Sequence, residues 1–209
     1  MKKGLFITFE GIDGCGKTTQ INLLKEYLEN KNYKVILTFE PGGSDIGKHL
    51  RQILLHHDGF VDDICETFLY LADRAQHVQT VILDNLNKGN IVLCDRYTDS
   101  TIAYQGYGRG HDTKKLEILN DIATKGLKPD ITFLSDIDVE TAQKRIGITK
   151  DRLESLDKSF HNRVREGYIE LYKNSPDIIK KLDGSKTIEE IFEEVKLAVD
   201  ELLWEKKLP

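Results

Sequence analysis

Residues 11–18 read Gly-Ile-Asp-Gly-Cys-Gly-Lys-Thr and fit the pattern G-x-x-x-x-G-K-[ST], a turn that holds phosphate groups. The apolar run 5–9 precedes this turn and a helix-like segment, 17–29, follows it, so the strand–turn–helix context of the pattern is present. Glycines allow successive backbone N–H groups to point at an anion, and the new helix adds its positive N-terminal end. The pattern therefore predicts a nucleoside triphosphate site. A glycine-rich turn without a ligand is the alternative.

Within this turn, Lys17 is expected to neutralise phosphate charge, and the hydroxyl of Thr18 is expected to hold Mg²⁺. The turn carries no arginine of its own. The residues expected to surround the phosphates are Gly11, Ile12, Asp13, Gly14, Cys15, Gly16, Lys17, Thr18 and Thr19.

The composition is that of an ordinary globular protein, with 39% hydrophobic and 31% charged residues among 209. A net charge of −5 argues against a broad nucleic-acid-binding surface. Three widely spaced cysteines without a C-x-x-C pair argue against a disulfide framework or a zinc site and favour a reducing compartment. The first apolar run ends at Glu10 and is too short for a signal peptide or a membrane span. We therefore expect a cytoplasmic protein that binds neither membrane nor nucleic acid.

Apolar runs of strand character recur along the chain, and helical patterns separate them. The runs cover residues 5–9, 35–39, 91–94, 131–134 and 178–182. Such an alternation predicts an α/β fold with a five-stranded parallel sheet that helices cover on both faces. Because the chain has no repeat, low-complexity stretch or linker, we expect residues 1–209 to form a single domain.

Two helices are indicated by particular patterns. One long helix carries apolar residues every three to four positions, and this stripe is most simply interpreted as core. Its members are Val61, Ile64, Phe68, Leu71, Ala75, Val78, Ile82 and Leu86. A capping box at Thr187 and Glu190 is expected to open the last helix.

Residues 147–159 are charged and nearly devoid of large apolar side chains, between two helical patterns. A solvated loop is one interpretation of this segment. The other is a lid that closes over phosphates, and Arg145, Lys150 and Arg152 favour the lid.

The ends of three predicted strands carry charged residues or exposed backbone. In an open α/β sheet the ligands bind at the carboxyl ends of the strands, where Glu10, Glu40 and Asp95 stand. Asp95 follows its strand as a Walker-B acid does, and it can orient Mg²⁺ or its waters. Arg96 follows, where ATPases that activate water usually have Glu, and its guanidinium suits a second, acceptor phosphate. A surface ion pair at a strand end is the alternative.

The chain resembles the bacterial-type thymidylate kinases, P-loop nucleoside monophosphate kinases that phosphorylate dTMP to dTDP with ATP. The resemblance runs nearly from end to end and is carried by five segments, of which the third and fourth are the most specific. They are FEGIDGCGKTTQ at 9–20, EPGG at 40–43, LADRAQH at 71–77, DRYTDSTIAYQG at 95–106 and DRLE at 151–154. It implies the P-loop NTPase fold with a short lid, a homodimer, ATP as phosphoryl donor and Mg²⁺.

The resemblance also implies roles for individual residues. Asp13 would accept from a sugar hydroxyl, Tyr70 would stack on the thymine, and Tyr104 would crowd the ribose 2′ carbon. The implied dTMP-binding residues are Asp13, Glu40, Arg51, Tyr70, Arg74, Arg96, Thr101, Tyr104 and Gln105. Arg145 joins the turn residues around ATP, Thr18 and Asp95 hold the metal, and the catalytic set is Lys17, Arg96, Arg152 and Asp13.

The chain departs from the usual family pattern at Phe39, which replaces an arginine, at Tyr70, usually Phe, and at Cys15, usually Ser or Ala. Phe39 removes a charge near the phosphates. Two other functions stay open at this point: a kinase for dUMP, dCMP or GMP, and a regulatory module that binds ATP without transferring its phosphate.

Overall fold

The computed structural model describes residues 4–146 and 151–206, and within these ranges five parallel strands form one sheet in the order β2-β3-β1-β4-β5. The strands are β1 (Leu5–Glu10), β2 (Val35–Phe39), β3 (Ile91–Asp95), β4 (Ile131–Asp136) and β5 (Ile179–Asp183). The prediction of an α/β fold with a five-stranded parallel sheet is confirmed. The predicted limits of β2 match the observed ones, and those of the other four strands differ by one or two residues.

The strand β1 lies at the centre of the sheet, between β3 and β4. From β1 the sheet continues through β3 to β2 on one side and through β4 to β5 on the other. Phe9 of β1 pairs with Asp95 of β3, and Asp95 also pairs with Phe39 of β2. The carboxyl ends of these strands therefore meet at one edge. A crevice opens at that edge because the strand order reverses there.

Helices connect the strands and cover both faces of the sheet. They are α1 (Lys17–Asn30), α2 (Asp45–His56), α3 (Asp63–His77), α4 (Leu83–Asn87), α5 (Thr98–Thr101), α6 (Thr113–Thr124), α7 (Val139–Arg145), α8 (Lys158–Asn174) and α9 (Ile188–Lys206). Two π-helical segments, Val78–Ile82 and Ile102–Gly108, continue α3 and α5. The predicted capping box is confirmed, since the backbone N–H of Thr187 donates to Glu190 and that of Glu190 donates to the Thr187 hydroxyl. None of the helices in the described residues is long and apolar enough to cross a membrane.

The apolar stripe of the predicted long helix is core only in part. Val78, Ile82 and Leu86 pack against Phe6 and other buried residues of the sheet. By contrast, Ile64 and Phe68 are exposed by 49% and 56%, so their interpretation as core is wrong. Ala75 is exposed as well.

Ile64 and Phe68 are exposed because α3 buries a different face of the helix. Glu66, Asp73, Arg74 and His77 all lie on the buried face of α3. This half of the helix packs on α2 and α6. The buried face of α3 is thus polar, and it is directed at the crevice.

The predicted lid is described only from residue 151 onward, and residues 147–150, with Lys150, lie outside the described residues. Residues 151–157 form turns that lead into α8. Leu153 is buried in the cluster that also contains Phe160 and Tyr168, and Leu156 packs against it. This part of the segment is therefore anchored to the protein by apolar side chains.

Candidate active site

The glycine-rich turn connects β1 to α1 with a backbone that requires glycine. Gly11, Gly14 and Gly16 have φ values of 134°, 79° and 96°, in the left-handed region. A Cβ at Gly14 would lie 2.2 Å from the carbonyl oxygen of Ala142. No side chain caps the N-terminus of α1. The first N–H groups of α1 are therefore left for an anion.

Lys17 folds back over this turn. Its ammonium donates to the carbonyl oxygens of Gly11 at 3.0 Å and Ile12 at 3.1 Å, and the Cys15 sulfur lies 3.6 Å away. The side chain is buried. A single positive charge is thus held at the mouth of the turn.

Two cavities open at the carboxyl edge of the sheet. The larger cavity, about 880 Å³, is lined by residues 13–19 of the turn and by Asp95, Arg96, Arg145 and residues of the β5–α9 connection. The smaller cavity has a volume of about 140 Å³. Its lining includes Asp13, Glu40, Arg51, Tyr70, Arg74, Arg96, Thr101, Tyr104 and Gln105. These are all nine residues that the resemblance implied for dTMP.

The two cavities share part of their lining. Asp13, Glu40, Arg51, Arg96 and Glu154 belong to both. A ligand in one cavity therefore faces a ligand in the other across Arg96 and Asp13.

Arg96 is held rigidly at this junction. Its φ is 72°, which is rare for a residue with a side chain. One end of its guanidinium donates to Asp13 at 2.5 Å and to the Tyr104 hydroxyl at 3.1 Å. The other end donates to the Tyr168 hydroxyl at 3.0 Å. A non-glycine residue in a strained conformation is typical of a functional site.

Asp13 is ionised by its surroundings. Burial alone would raise the pKa of Asp13, but the charges of Arg96 and Lys17 outweigh it. Hydrogen bonds from Arg96 and Tyr104 act in the same direction, so the pKa of Asp13 lies well below its usual range. This carboxylate can only accept hydrogen bonds.

Glu10 accepts hydrogen bonds from residues next to Arg96, at the junction of the two cavities. Its carboxylate accepts from the backbone N–H of Tyr97 at 2.7 Å, from the Ser100 hydroxyl at 2.6 Å and from the Tyr168 hydroxyl at 3.0 Å. Burial raises the pKa of Glu10 in spite of these hydrogen bonds. Sequence reasoning did not find Tyr168, since nothing in the local pattern of α8 distinguishes it from a core aromatic.

Asp95 and Thr18 form a small oxygen cluster beside Lys17. The Thr18 hydroxyl lies 3.4 Å from Asp95 Oδ2, a long hydrogen bond. Asp95 Oδ1 is buried and has no hydrogen-bond partner among the described residues. In the described part of the chain, no three His, Cys, Asp or Glu side chains form a cluster for a metal ion. The pair nevertheless fits Mg²⁺, because this ion takes one or two protein oxygens together with phosphates and water.

Arg74 and Glu40 form a buried ion pair on the floor of the smaller cavity. Arg74 Nε donates to Glu40 at 2.7 Å, and its other nitrogens donate to the Thr101 hydroxyl, the Asn120 side chain and the Tyr97 carbonyl. The five N–H groups of an arginine fork are fixed in one plane. Four of them have acceptors among the described residues, so one N–H on Nη2 has none there and can serve a ligand.

Phe39, the departure from the family pattern, lies beneath Arg51. The Arg51 guanidinium is 5.4 Å from the centre of the Phe39 ring, and its Nη1 donates to the Pro41 carbonyl at 2.7 Å. Phe39 therefore supplies a platform for one cation where the usual residue would supply a second one.

The two lid arginines occupy different places. Arg145 lines the larger cavity and donates to the Gly184 carbonyl at 3.3 Å. Arg152 lines neither cavity. Its Nε donates to the Leu54 carbonyl at 2.9 Å, and its Nη2 lies 2.7 Å from Glu66 without the alignment of a hydrogen bond. The catalytic role expected for Arg152 stays a prediction.

One wall of the larger cavity was not found from the sequence. Gly184, Lys186, Ile188 and Ile191 line it between β5 and α9. Gln20 connects this wall to α1 by donating to the Ile188 carbonyl at 3.0 Å. The capping box was the only local signal in this region, and it indicates a helix start, without any ligand.

Comparisons with known proteins agree with this geometry. The family model described as thymidylate kinase matches residues 9–195. A thymidylate kinase from Caldanaerobacter subterraneus subsp. tengcongensis is 46% identical over 96% of this chain and 97% of its own length. One from Maridesulfovibrio salexigens is 50% identical over 94% and 95% of the two chains. The crystal structure of thymidylate kinase from Ehrlichia chaffeensis is similar with a TM-score of 0.78 and 37% identity, over 94% of this chain and 98% of that one.

Proposed function

The chain belongs to the thymidylate kinase family and phosphorylates dTMP to dTDP with ATP, and we propose here how its own residues carry out this transfer. The bond between the γ-phosphorus of ATP and its bridging oxygen breaks, and a dTMP phosphate oxygen forms a new bond to that phosphorus. ADP leaves as the second product.

The observation that carries the assignment of the substrates is the shared lining of the two cavities at Asp13 and Arg96. ATP occupies the larger cavity, with its phosphates on the glycine-rich turn and Lys17. The dTMP occupies the smaller cavity, with its phosphate toward Arg96 and Arg51. The acceptor oxygen and the γ-phosphate then meet at the junction, in line for transfer.

The chemistry on the protein side is charge neutralisation. A phosphate monoester has a second pKa of about 6, so dTMP is largely dianionic at neutral pH and needs no general base. The barrier is the repulsion between two anions. Lys17 and Arg96 lower it because both are held in place before the substrates arrive, and no reorganisation is needed during the transfer. An arginine from the lid completes the set.

The fit of Asp95 and Thr18 supports Mg²⁺ as the cofactor. Thr18 would supply a direct oxygen, and the unpartnered Asp95 Oδ1 would bind the ion or its water. Held there by these two residues, Mg²⁺ would neutralise charge on the triphosphate.

Recognition of the nucleoside falls to the smaller cavity. Asp13 is ionised and accepts a hydrogen bond from the sugar 3′ hydroxyl, while Tyr104 lies against the 2′ position. Tyr70 stacks on the base, and Arg74, Thr101 and Gln105 contact its edge. Stacking and edge contacts together read a single base without a duplex.

We also propose a homodimer of single-domain chains that works in the cytoplasm. The exposed apolar residues of α3, Ile64 and Phe68, support an interface on that helix. Three free cysteines support a reducing compartment.

An ADP-release assay with ATP and Mg²⁺ tests the proposal, with dTMP, dUMP, dCMP, dGMP and thymidine as separate acceptors. We expect strong preference for dTMP and no turnover of thymidine, which lacks the acceptor phosphate. Preference for another monophosphate would keep the phosphoryl transfer and overturn the base-site assignment. Bound ATP without acceptor-dependent turnover would instead favour a regulatory module.

A further inference from the structure

Glu66 is a fully buried carboxylate of α3 that lines neither cavity, and the proposed mechanism does not use it. Its Oε1 accepts from the side-chain amide of Gln105 at 3.0 Å. The same Oε1 accepts from Arg109 Nε at 3.3 Å, while Oε2 accepts from Arg109 Nη2 at 2.8 Å and lies 2.7 Å from Arg152. Glu66 is therefore placed directly behind a residue of the smaller cavity.

The surroundings keep Glu66 ionised. Burial alone would raise the pKa of Glu66, but hydrogen bonds from Arg109 and Gln105 and the charge of Arg109 lower it below its usual value. A carboxylate ion has no proton to donate. The amide of Gln105 must therefore direct its NH₂ group at Glu66, because its oxygen would be repelled there.

This orientation determines what Gln105 offers to a ligand. With the NH₂ group directed at Glu66, the polar atom that remains is Oε1, and no described residue donates a hydrogen bond to it. The N–H of Arg74 that has no acceptor in the described part of the chain is a donor at the same cavity. The edge of the cavity thus presents one donor and one acceptor.

We propose that Glu66 is a positioning residue which fixes the polarity of the Gln105 amide, so that the smaller cavity selects a pyrimidine with a ring N–H at position 3. Thymine has this N3–H and a carbonyl at position 4. Cytosine has an unprotonated N3 and an amino group at position 4, so both of its groups would meet the wrong partner. This inference rests on the proposed placement of dTMP in the smaller cavity.

Glu66→Gln is expected to invert the orientation of the Gln105 side-chain amide. The two shorter arginine contacts, from Arg109 Nη2 at 2.8 Å and Arg152 Nη2 at 2.7 Å, are both with Oε2, whereas Arg109 Nε lies 3.3 Å from Oε1. The oxygen of the new amide is therefore expected at the Oε2 position. Its NH₂ group would then face Gln105, and Gln105 would turn its own NH₂ toward the cavity. The cavity would present a donor to N3, which suits cytosine and opposes thymine.

The test compares kcat/KM for dTMP and for 5-methyl-dCMP, which differ only in the groups at positions 3 and 4 of the base. In E66Q the preference for dTMP should fall by about tenfold or more, because dTMP loses one hydrogen bond to the cavity and 5-methyl-dCMP gains one. Glu66→Asp keeps the negative charge and should retain the preference. Arg109→Lys removes a partner of Glu66 without changing its polarity, and it should retain the preference even where it lowers both rates.

A folded E66Q protein with the wild-type preference overturns the inference. Should E66Q fail to fold, Gln105→Ala provides the second test, because it leaves Glu66 with its arginines and removes only the amide. An unchanged preference in Q105A also overturns the inference. The turnover of dTMP by the wild-type protein tests the proposed function separately, because it does not depend on the ratio of kcat/KM for dTMP to that for 5-methyl-dCMP.

Discussion

Asp13 and Asp73 are buried carboxyl groups with opposite behaviour. Two cations surround Asp13, whereas Asp73 lies near Glu40 and, among the described residues, accepts a hydrogen bond only from the backbone N–H of Gly42, at 3.0 Å. Its Oδ2 is buried and has no hydrogen-bond partner in the described part of the chain. Burial and the charge of Glu40 raise the pKa of Asp73 to about 6.

Asp73→Asn should stabilise the protein increasingly as the pH rises. A raised pKa means that the contribution of Asp73 to stability is fully present below its ordinary pKa of 3.8 and is lost as the pH rises through about 6. Asparagine keeps an acceptor for Gly42 and never ionises. Relative to wild type, the free energy of unfolding of D73N should increase by about 1 kcal/mol between pH 5 and pH 8. Urea unfolding at the two pH values measures this, and a difference that does not vary with pH would contradict it.

The individual residues differ in how far their positions could be predicted from the sequence. The location of Lys17, Thr18 and Asp95 at one edge of the sheet could be predicted because each stands at a fixed offset from a strand or a turn. Tyr168 and Glu66 could not, because the first reaches Glu10 across 158 positions and the second acts through Gln105, 39 positions away. Such contacts depend on packing between helices that no local pattern records.

The strands and helices were predictable to the extent that their patterns are local. The strand–turn–helix unit at the N-terminus and the capping box of α9 match the structure because neighbouring residues determine them. The apolar stripe of α3 led to a wrong prediction because this helix buries a polar face, which includes Arg74 of the smaller cavity. The periodicity of apolar residues alone cannot distinguish a core from an exposed surface.

The lid is the element whose chemistry is most open to test. We expect Arg152→Ala to lower kcat by about 10³-fold or more, with a much smaller change in the KM for dTMP. Arg152 now contacts Glu66 and Leu54, so its guanidinium would have to leave them to stabilise the transferred phosphoryl group. An interaction made only in the transition state affects kcat more than binding. Steady-state kinetics with both substrates varied measure the two effects separately.

Arg145→Ala and Arg163→Ala are the control variants for the kinetics of R152A. Arg145 lines the larger cavity, so its loss should act mainly through the KM for ATP. Arg163 binds the Gly108 carbonyl outside both cavities and should have a small effect. Near-normal turnover in R152A together with a large loss of kcat in R145A would transfer the role to Arg145.

In the molecule as a whole, part of the apolar surface that the core does not use lies on two neighbouring helices, α2 and α3. Ile64 and Phe68 of α3 are exposed, and so are Ile46 and Ile53 of the adjacent helix α2. Exposed apolar residues on packed neighbouring helices mark an interaction surface. The resemblance implies a homodimer, and this surface is where we place its interface.

Phe68→Glu should therefore convert the dimer to a monomer. A charge placed in an apolar interface loses its water without gaining a partner, which is expected to weaken association by about 100-fold or more. Sedimentation velocity should find twice the chain mass for the wild type and the single mass for F68E. Trp204→Glu is the matched control, because Trp204 is also strongly exposed but lies on α9. A monomeric wild type, or dissociation of W204E with F68E intact, would exclude an interface on α3.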